Sequence, residues 1–318
     1  MEVFLKNKII VIGNGFDIWQ GLNTRYSDFK NYYYEHRKTI AKKLLIKPHK
    51  VKLPNNELIE IFDAELIYGN PLNPQELSDD FWNTFEDSLS CIDDVSVNLF
   101  FGKNTINLHR LSKSVKRAKR MLRTAFTDWI RTIEINEKES NYNFGDTCSF
   151  LNFNYTDTLQ KRFGIPEKDI FYIHGKANDK NSIIFGHSEC PEPPPILSKK
   201  LGGRFKGLYY IGNLLYETDK HATDNLYLYS AYLAMLSVFP HDIREVYVIG
   251  HSFGQADYEY FRFLVQATQE TATWHISCFS EKDKSRVTKV MSELNFNNFY
   301  TYSNIDDCIC CFKTSKQK

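Results

Sequence analysis

The sequence has no run approaching the roughly 20 consecutive apolar residues that a membrane-crossing helix needs, so no spanning segment is expected. It has a single Cys-x-x-Cys spacing, Cys308 to Cys311, and no second pair to complete a four-thiolate zinc site. It has almost no net charge, 40 Lys+Arg against 39 Asp+Glu leaving +1. That balance excludes a polybasic nucleic-acid scaffold, and equally an acidic disordered tail, as a description of the whole chain. The first fifteen residues lack the apolar length and the small-residue cleavage site of a secretory signal. No internal repeat is visible. These absences predict a soluble, cytoplasmic protein with no membrane partner.

What is present is ordinary globular material: 318 residues, 42% hydrophobic and 25% charged, enough for one large domain or two modest ones. The aromatic share is high at 15%, carried by 24 Phe and 19 Tyr, most of which belong in a core. Seven cysteines are an odd number for a complete disulfide set. Cys91, Cys148, Cys190 and Cys278 are scattered, while Cys308-Ile309-Cys310 alternates like a strand beside Cys311. Buried free thiols in a reducing compartment are expected.

Lys8 to Ile12 is a continuous β-branched run ending at Gly13-Asn14-Gly15. Continuous hydrophobicity, rather than alternation, predicts a strand covered on both faces, as in a parallel sheet. Similar runs occur at Thr147–Phe153, Ile170–Ile173, Ser182–Gly186, Glu245–Gly250, Thr273–Phe279 and Phe299–Tyr302. With helical stretches between them they predict an open α/β sheet. Between about Asn23 and Asn143 the strand signal disappears. There Leu111, Val115, Ala118, Leu122, Phe126 and Trp129 form a helical stripe, and Ser78 followed by Phe81, Phe85 and Leu89 reads as another helix. The expected organisation is a nucleotide-binding α/β domain, 1–22 with 144–318, interrupted by a helical insertion, 23–143. Pro191 to Pro195 marks a stiff loop leading to a second helical stretch before Glu245.

The insertion divides its charge. Leu53 to Gly102 holds 11 Asp+Glu and no Lys or Arg, whereas Lys103 to Arg123 holds eight Lys+Arg and no Asp or Glu. Two helices with complementary faces would explain this; so would a basic face for phosphates or nucleic acid.

Four strings carry candidate chemistry, each at a strand end where open α/β sheets bind ligands. Gly13-Asn14-Gly15-Phe16-Asp17 permits a tight turn and close backbone approach, although the third fingerprint glycine is missing at its usual spacing. Asn152-Phe153-Asn154-Tyr155-Thr156-Asp157 places two amides at the end of a buried strand, either for function or, through Thr156 or Asp157, to cap the next helix. Tyr172-Ile173-His174-Gly175 supplies an imidazole suited to proton handling near neutral pH, with His187 as its rival. Gly250-His251-Ser252-Phe253-Gly254-Gln255-Ala256-Asp257 reads as a phosphate cradle before a helix, and its Gly-x-Ser-x-Gly spelling also fits a nucleophile elbow. A serine hydrolase then needs an acid and a His downstream, and only His275 follows, inside a predicted strand.

In order and spacing these strings resemble the AbiH family of bacterial abortive-infection proteins. The likeness covers Val11–Phe29, with Gly21-Leu22 and Tyr26-Ser27-Asp28-Phe29, then Phe81–Glu86, Leu151–Leu159, Ile173–Gly175 and Tyr247–Tyr260. A more distant likeness is to sirtuin-like NAD-binding domains, including the NAD-degrading ones of phage defence. Gly13 and Gly15, Asn154-Tyr155, His174-Gly175 and Gly250-x-Ser252 match their motifs in order, while Asp17 replaces a serine and Thr156 an aspartate.

That resemblance implies a Rossmann-like sheet and NAD as substrate or ligand. It implies Asn154 and His174 as the catalytic pair. The ligand would be bound by Gly13, Asn14, Gly15, Phe16, Asp17, Asp28, Asn152, Tyr155, Gly250, His251, Ser252 and Asp257. No metal is called for, and the zinc cysteines of deacylating sirtuins are missing. The implied activity is anti-phage NAD hydrolysis. Alternatives are a metal-dependent nuclease or RNA-binding toxin, with nucleic acid held by 103–123 and Glu86, Asp17 or Asp257 on the metal, and a silent nucleotide sensor. Partners are a small nucleotide, and either a second copy of the chain or another defence protein.

Overall fold

The protein is described here by a computed structural model covering residues 6–53, 56–70, 73–77, 108–137, 140–179, 183–184, 222–236 and 238–314. These fall into two compact units, 6–25 with 130–184 and 222–314, and 26–129.

The first unit is built on six parallel strands: β1 (Lys8–Ile12), β6 (Cys148–Asn152), β7 (Ile170–Tyr172), β8 (Glu245–Ile249), β9 (Thr273–Ser277) and β10 (Phe299–Tyr302). Their spatial order is β10-β9-β8-β1-β6-β7. Counted along the chain this is the 3-2-1-4-5-6 arrangement of a doubly wound sheet, whose order reverses between β1 and β8. Period two explains the continuous apolar run of β1. Ile9 and Val11 face a core containing Val246, Val248, Trp274, Ile276 and Phe261. Ile10 and Ile12 face the opposite core, with Phe150, Tyr247, Ile249, Ile305 and Phe312. Helices Ala222–Met235, Tyr258–Thr268 and Glu281–Glu293 contribute to the first layer. At the edge of the sheet opposite the site, Lys6 is buried with its ammonium 2.8 Å from Asp169 and 2.7 Å from the Cys148 carbonyl, which it donates to.

The second unit contains the helices Tyr26–Lys43, Asp63–Tyr68 and most of Leu108–Thr132. The expected stripe on the long helix is buried at Val115, Ala118, Leu122, Phe126 and Trp129. Phe29 meets Phe126 edge-on, with ring centroids 5.2 Å apart.

Several expectations need correction. The insertion is not purely helical: β2 (His49–Lys52) pairs antiparallel with β3 (Leu58–Ile61), and β4 (Gly69–Asn70) with β5 (Asn73–Leu77). Each strand is too short for a clear period, and β2 offers only Val51 among basic residues. Asn56, at φ +68, turns the first hairpin. Cys308-Ile309-Cys310 is not a strand. Asn304 caps the helix Ile305–Cys308 by accepting the Asp307 amide at 2.8 Å, and a 3-10 turn, Cys310–Phe312, follows. Cys148, Cys278 and Cys308 are buried thiols, but Cys310 and Cys311 are exposed. Of the expected strand Ser182–Gly186, Ile183 and Ile184 are described and lie in irregular backbone. The Ser78–Leu89 helix, Pro191–Pro195, Cys91, Cys190, His187 and Glu86 lie outside the described residues.

Candidate active site

Strand register assembles the site. Ile12 pairs with Asn152 on one side and Ile249 on the other, and Asn152 pairs with Tyr172. Asn14, Asn154, His174 and His251 therefore each stand two residues beyond one row across four adjacent strands. All four lie at the carboxyl edge, around the point where strand order reverses.

The glycines serve loop packing. A Cβ on Gly13 would stand 2.6 Å from the His251 Cα, and one on Gly15 2.8 Å from the Gly250 Cα. Gly250 has φ +65, and its Cβ would lie 2.2 Å from the Phe16 nitrogen. Many amides of the supposed cradle already have acceptors. Gly13 N donates to Ile249 O, Gly15 N to Gly250 O and Phe16 N to Gly13 O. Gly250 N donates to the Ser277 hydroxyl and Phe253 N to His251 Nδ1. Ser252 is exposed, and the positive φ nearby belongs to Gly250 and Phe253 instead. A 3-10 turn, Gln255–Asp257, separates it from the helix Tyr258–Thr268, which differs from a nucleophile elbow. His275 is engaged elsewhere, its Nδ1 2.8 Å from the Tyr302 hydroxyl.

Both amides of the second string are buried and bonded. Asn152 accepts the Asn154 backbone amide at 2.9 Å, and Asn154 Nδ2 donates to the Gly13 carbonyl at 3.0 Å. Asp157 occupies the helix N-cap position of Thr158–Phe163 without a side-chain capping bond. Tyr155 donates from its hydroxyl to the Ile184 carbonyl.

Asp17 is 1% exposed and accepts the Thr156 hydroxyl at 2.6 Å, while Thr158 donates to Thr156 Oγ1. The two residues that depart from the sirtuin-like pattern are thus each other's partners. Burial raises the Asp17 carboxyl to about 6, against the opposing pull of Thr156, Thr158, Asn154 and Arg162.

Asp257 joins two imidazoles. Its Oδ1 lies 3.3 Å from His174 Nε2 and its Oδ2 3.3 Å from His251 Nε2. All three residues are at least nine-tenths buried. Phe153 packs its ring against both histidines, and Tyr155 stacks on His174. Sequence reading named these residues separately but missed the link. Asp257 reaches His174 across 83 positions, and no local period marks such a contact.

Phe16 is buried in the core that holds Ile10 and Ile12, Asn14 is exposed with its amide donating to the Thr24 carbonyl, and Asp28 belongs to the second unit, in the first turn of Tyr26–Lys43. Two clefts open on the first unit. One, of about 280 Å³, is lined by Cys278, Phe279, Ser280, Lys284 and Tyr302. The other, of about 80 Å³, is lined by Thr156, Asp157, Arg131, Lys161 and Lys176. Among the described residues, no group of three or more His, Cys, Asp or Glu could hold a metal ion.

A family model described as bacteriophage abortive infection AbiH matches residues 9–278, a span that contains the whole cluster. The chain belongs to the AbiH family. That membership sets its role in anti-phage abortive infection. The AbiH span begins within β1 and ends just after β9, so β10 lies beyond it. Neither the curated proteins nor the solved structures give a match. The sirtuin-like likeness rests on motif order alone. Among the described residues no helix is long and apolar enough to cross a membrane.

Proposed function

We propose that this AbiH protein cleaves the N-glycosidic bond of a nucleotide, with NAD as the substrate and Asn154 and His174 as the catalytic pair. The supporting observation is the register: two amides and two imidazoles stand two residues past one row, at the switch point of a doubly wound sheet. The glycines carry no part of this reading, because loop packing accounts for them.

The chemistry asks little of the protein. The nicotinamide leaving group is cationic, so the C1′–N bond breaks with its electron pair going to the ring nitrogen, and no general acid is needed. The transition state is oxocarbenium-like and gains from oriented dipoles in a buried site. Water adds to C1′ and gives its proton to His174, leaving nicotinamide and ADP-ribose. Asn154 orients the water. Its amide also ties β6 to the Gly13 loop, so it is held in place while it acts.

Incubation with NAD, followed by assay of free nicotinamide, tests the proposal. The wild type releases nicotinamide, and His174→Ala and Asn154→Ala each reduce the rate at least about a hundredfold. Release unchanged in both variants contradicts it.

A further inference from the structure

We infer that Asp257 is the positioning residue for His174 and that His251 is what fixes Asp257. The deciding contact is the one behind His251. The Phe253 backbone N–H donates to His251 Nδ1 at 2.9 Å, and a backbone amide can only donate. Nδ1 must therefore be the acceptor, and the His251 ring proton sits on Nε2. That nitrogen lies 3.3 Å from Asp257 Oδ2, within ion-pair distance. One carboxylate oxygen is thereby held by a donor whose tautomer is set by the main chain.

The other oxygen, Oδ1, faces His174 Nε2 at 3.3 Å. It selects the tautomer with the proton on Nε2 and stabilises the imidazolium formed when His174 takes a second proton. In the proposed reaction that second proton comes from the attacking water and arrives at Nδ1, which is itself shielded from solvent. The rings of Phe153, Tyr155 and Tyr260 pack around His174, so the charge develops in a dry setting where a fixed carboxylate acts strongly. The two histidines thus have different duties. His251 anchors the carboxylate, and His174 exchanges protons.

Asp257→Asn tests this because its outcome is determined by His251. The introduced amide must turn its oxygen to the fixed His251 donor, which leaves its NH₂ facing His174. His174 then accepts at Nε2 and carries its proton on Nδ1, the wrong tautomer for a base. The kinetic half of the inference rests on the nucleotide-cleavage reading. There the expected result is a kcat lower by about 10²- to 10⁴-fold with KM within about threefold of wild type. The spectroscopic half does not rest on it. In ¹⁵N-histidine NMR of the wild type, both His174 and His251 carry their ring proton on Nε2 when neutral. In Asp257→Asn only His174 changes tautomer.

A folded Asp257→Asn protein with near-wild-type kcat overturns the inference, as does a wild-type His174 protonated on Nδ1. If the wild type releases no nicotinamide, the proposed activity fails while the NMR result still decides this inference. The wild-type spectrum also serves if the variant does not fold.

Discussion

Replacing Asp17 by asparagine should stabilise the protein, and only above a particular pH. Asp17 is almost fully buried, and desolvation raises its carboxyl from the ordinary 3.8 to about 6. The sign follows from linkage. Below pH 3.8 the group is protonated in both folded and unfolded chains and contributes nothing. Between 3.8 and 6 the unfolded chain ionises while the folded one stays neutral, so stability falls as pH rises. Above 6 both are ionised, and the penalty levels off at about 3 kcal/mol. Asparagine keeps an oxygen to accept the Thr156 hydroxyl but carries no charge. Urea denaturation of wild type and Asp17→Asn across pH 4–8 should therefore show a difference that grows with pH and saturates above 6. Titrations common to both proteins cancel in the comparison. A difference independent of pH would refute the reasoning, and so would a wild type that gains on the variant as pH rises.

Other outcomes follow from the packing and ion pairs described above. Gly250→Ala forces a methyl to 2.2 Å from the Phe16 nitrogen at φ +65, so it should lose roughly 3 kcal/mol or more of unfolding free energy in denaturant titration. Lys6→Met strands Asp169 and should lose about 3–5 kcal/mol by the same method; a loss under about 1 kcal/mol would mean that the pair is solvated. Alkylation of the native protein, mapped by peptide mass, should modify the exposed Cys310 and Cys311 quickly. Cys148 and Cys278 should resist, being buried with thiols pushed up to about 12 and about 11.

The parallel sheet was legible because both its faces are covered. Strands such as Lys8–Ile12 and Glu245–Ile249 read as unbroken apolar runs, and their ends mark the carboxyl edge. The four site strings could be placed for that reason. The hairpins of the second unit left too little signal, since β2 alternates lysine and histidine with a single valine. Cys308-Ile309-Cys310 misled because a capping asparagine four residues upstream outweighs a three-residue alternation. The glycines were read as ligand contacts, and the pressing of one loop on another gives a second reason for them that the sequence did not show. The Asp17–Thr156 and His174–Asp257–His251 links span distant segments, and only the register of the sheet brings them together.

Hydrogen exchange with and without NAD or ADP-ribose tests the central claim, a nucleotide site at the switch point, most directly. Bound nucleotide should slow exchange in Gly13–Asp17, in Asn154–Thr156 and in Gly250–Asp257 together, with the opposite edge around Lys6 and Asp169 unchanged. Protection confined to other segments, or none at saturating nucleotide, would contradict it.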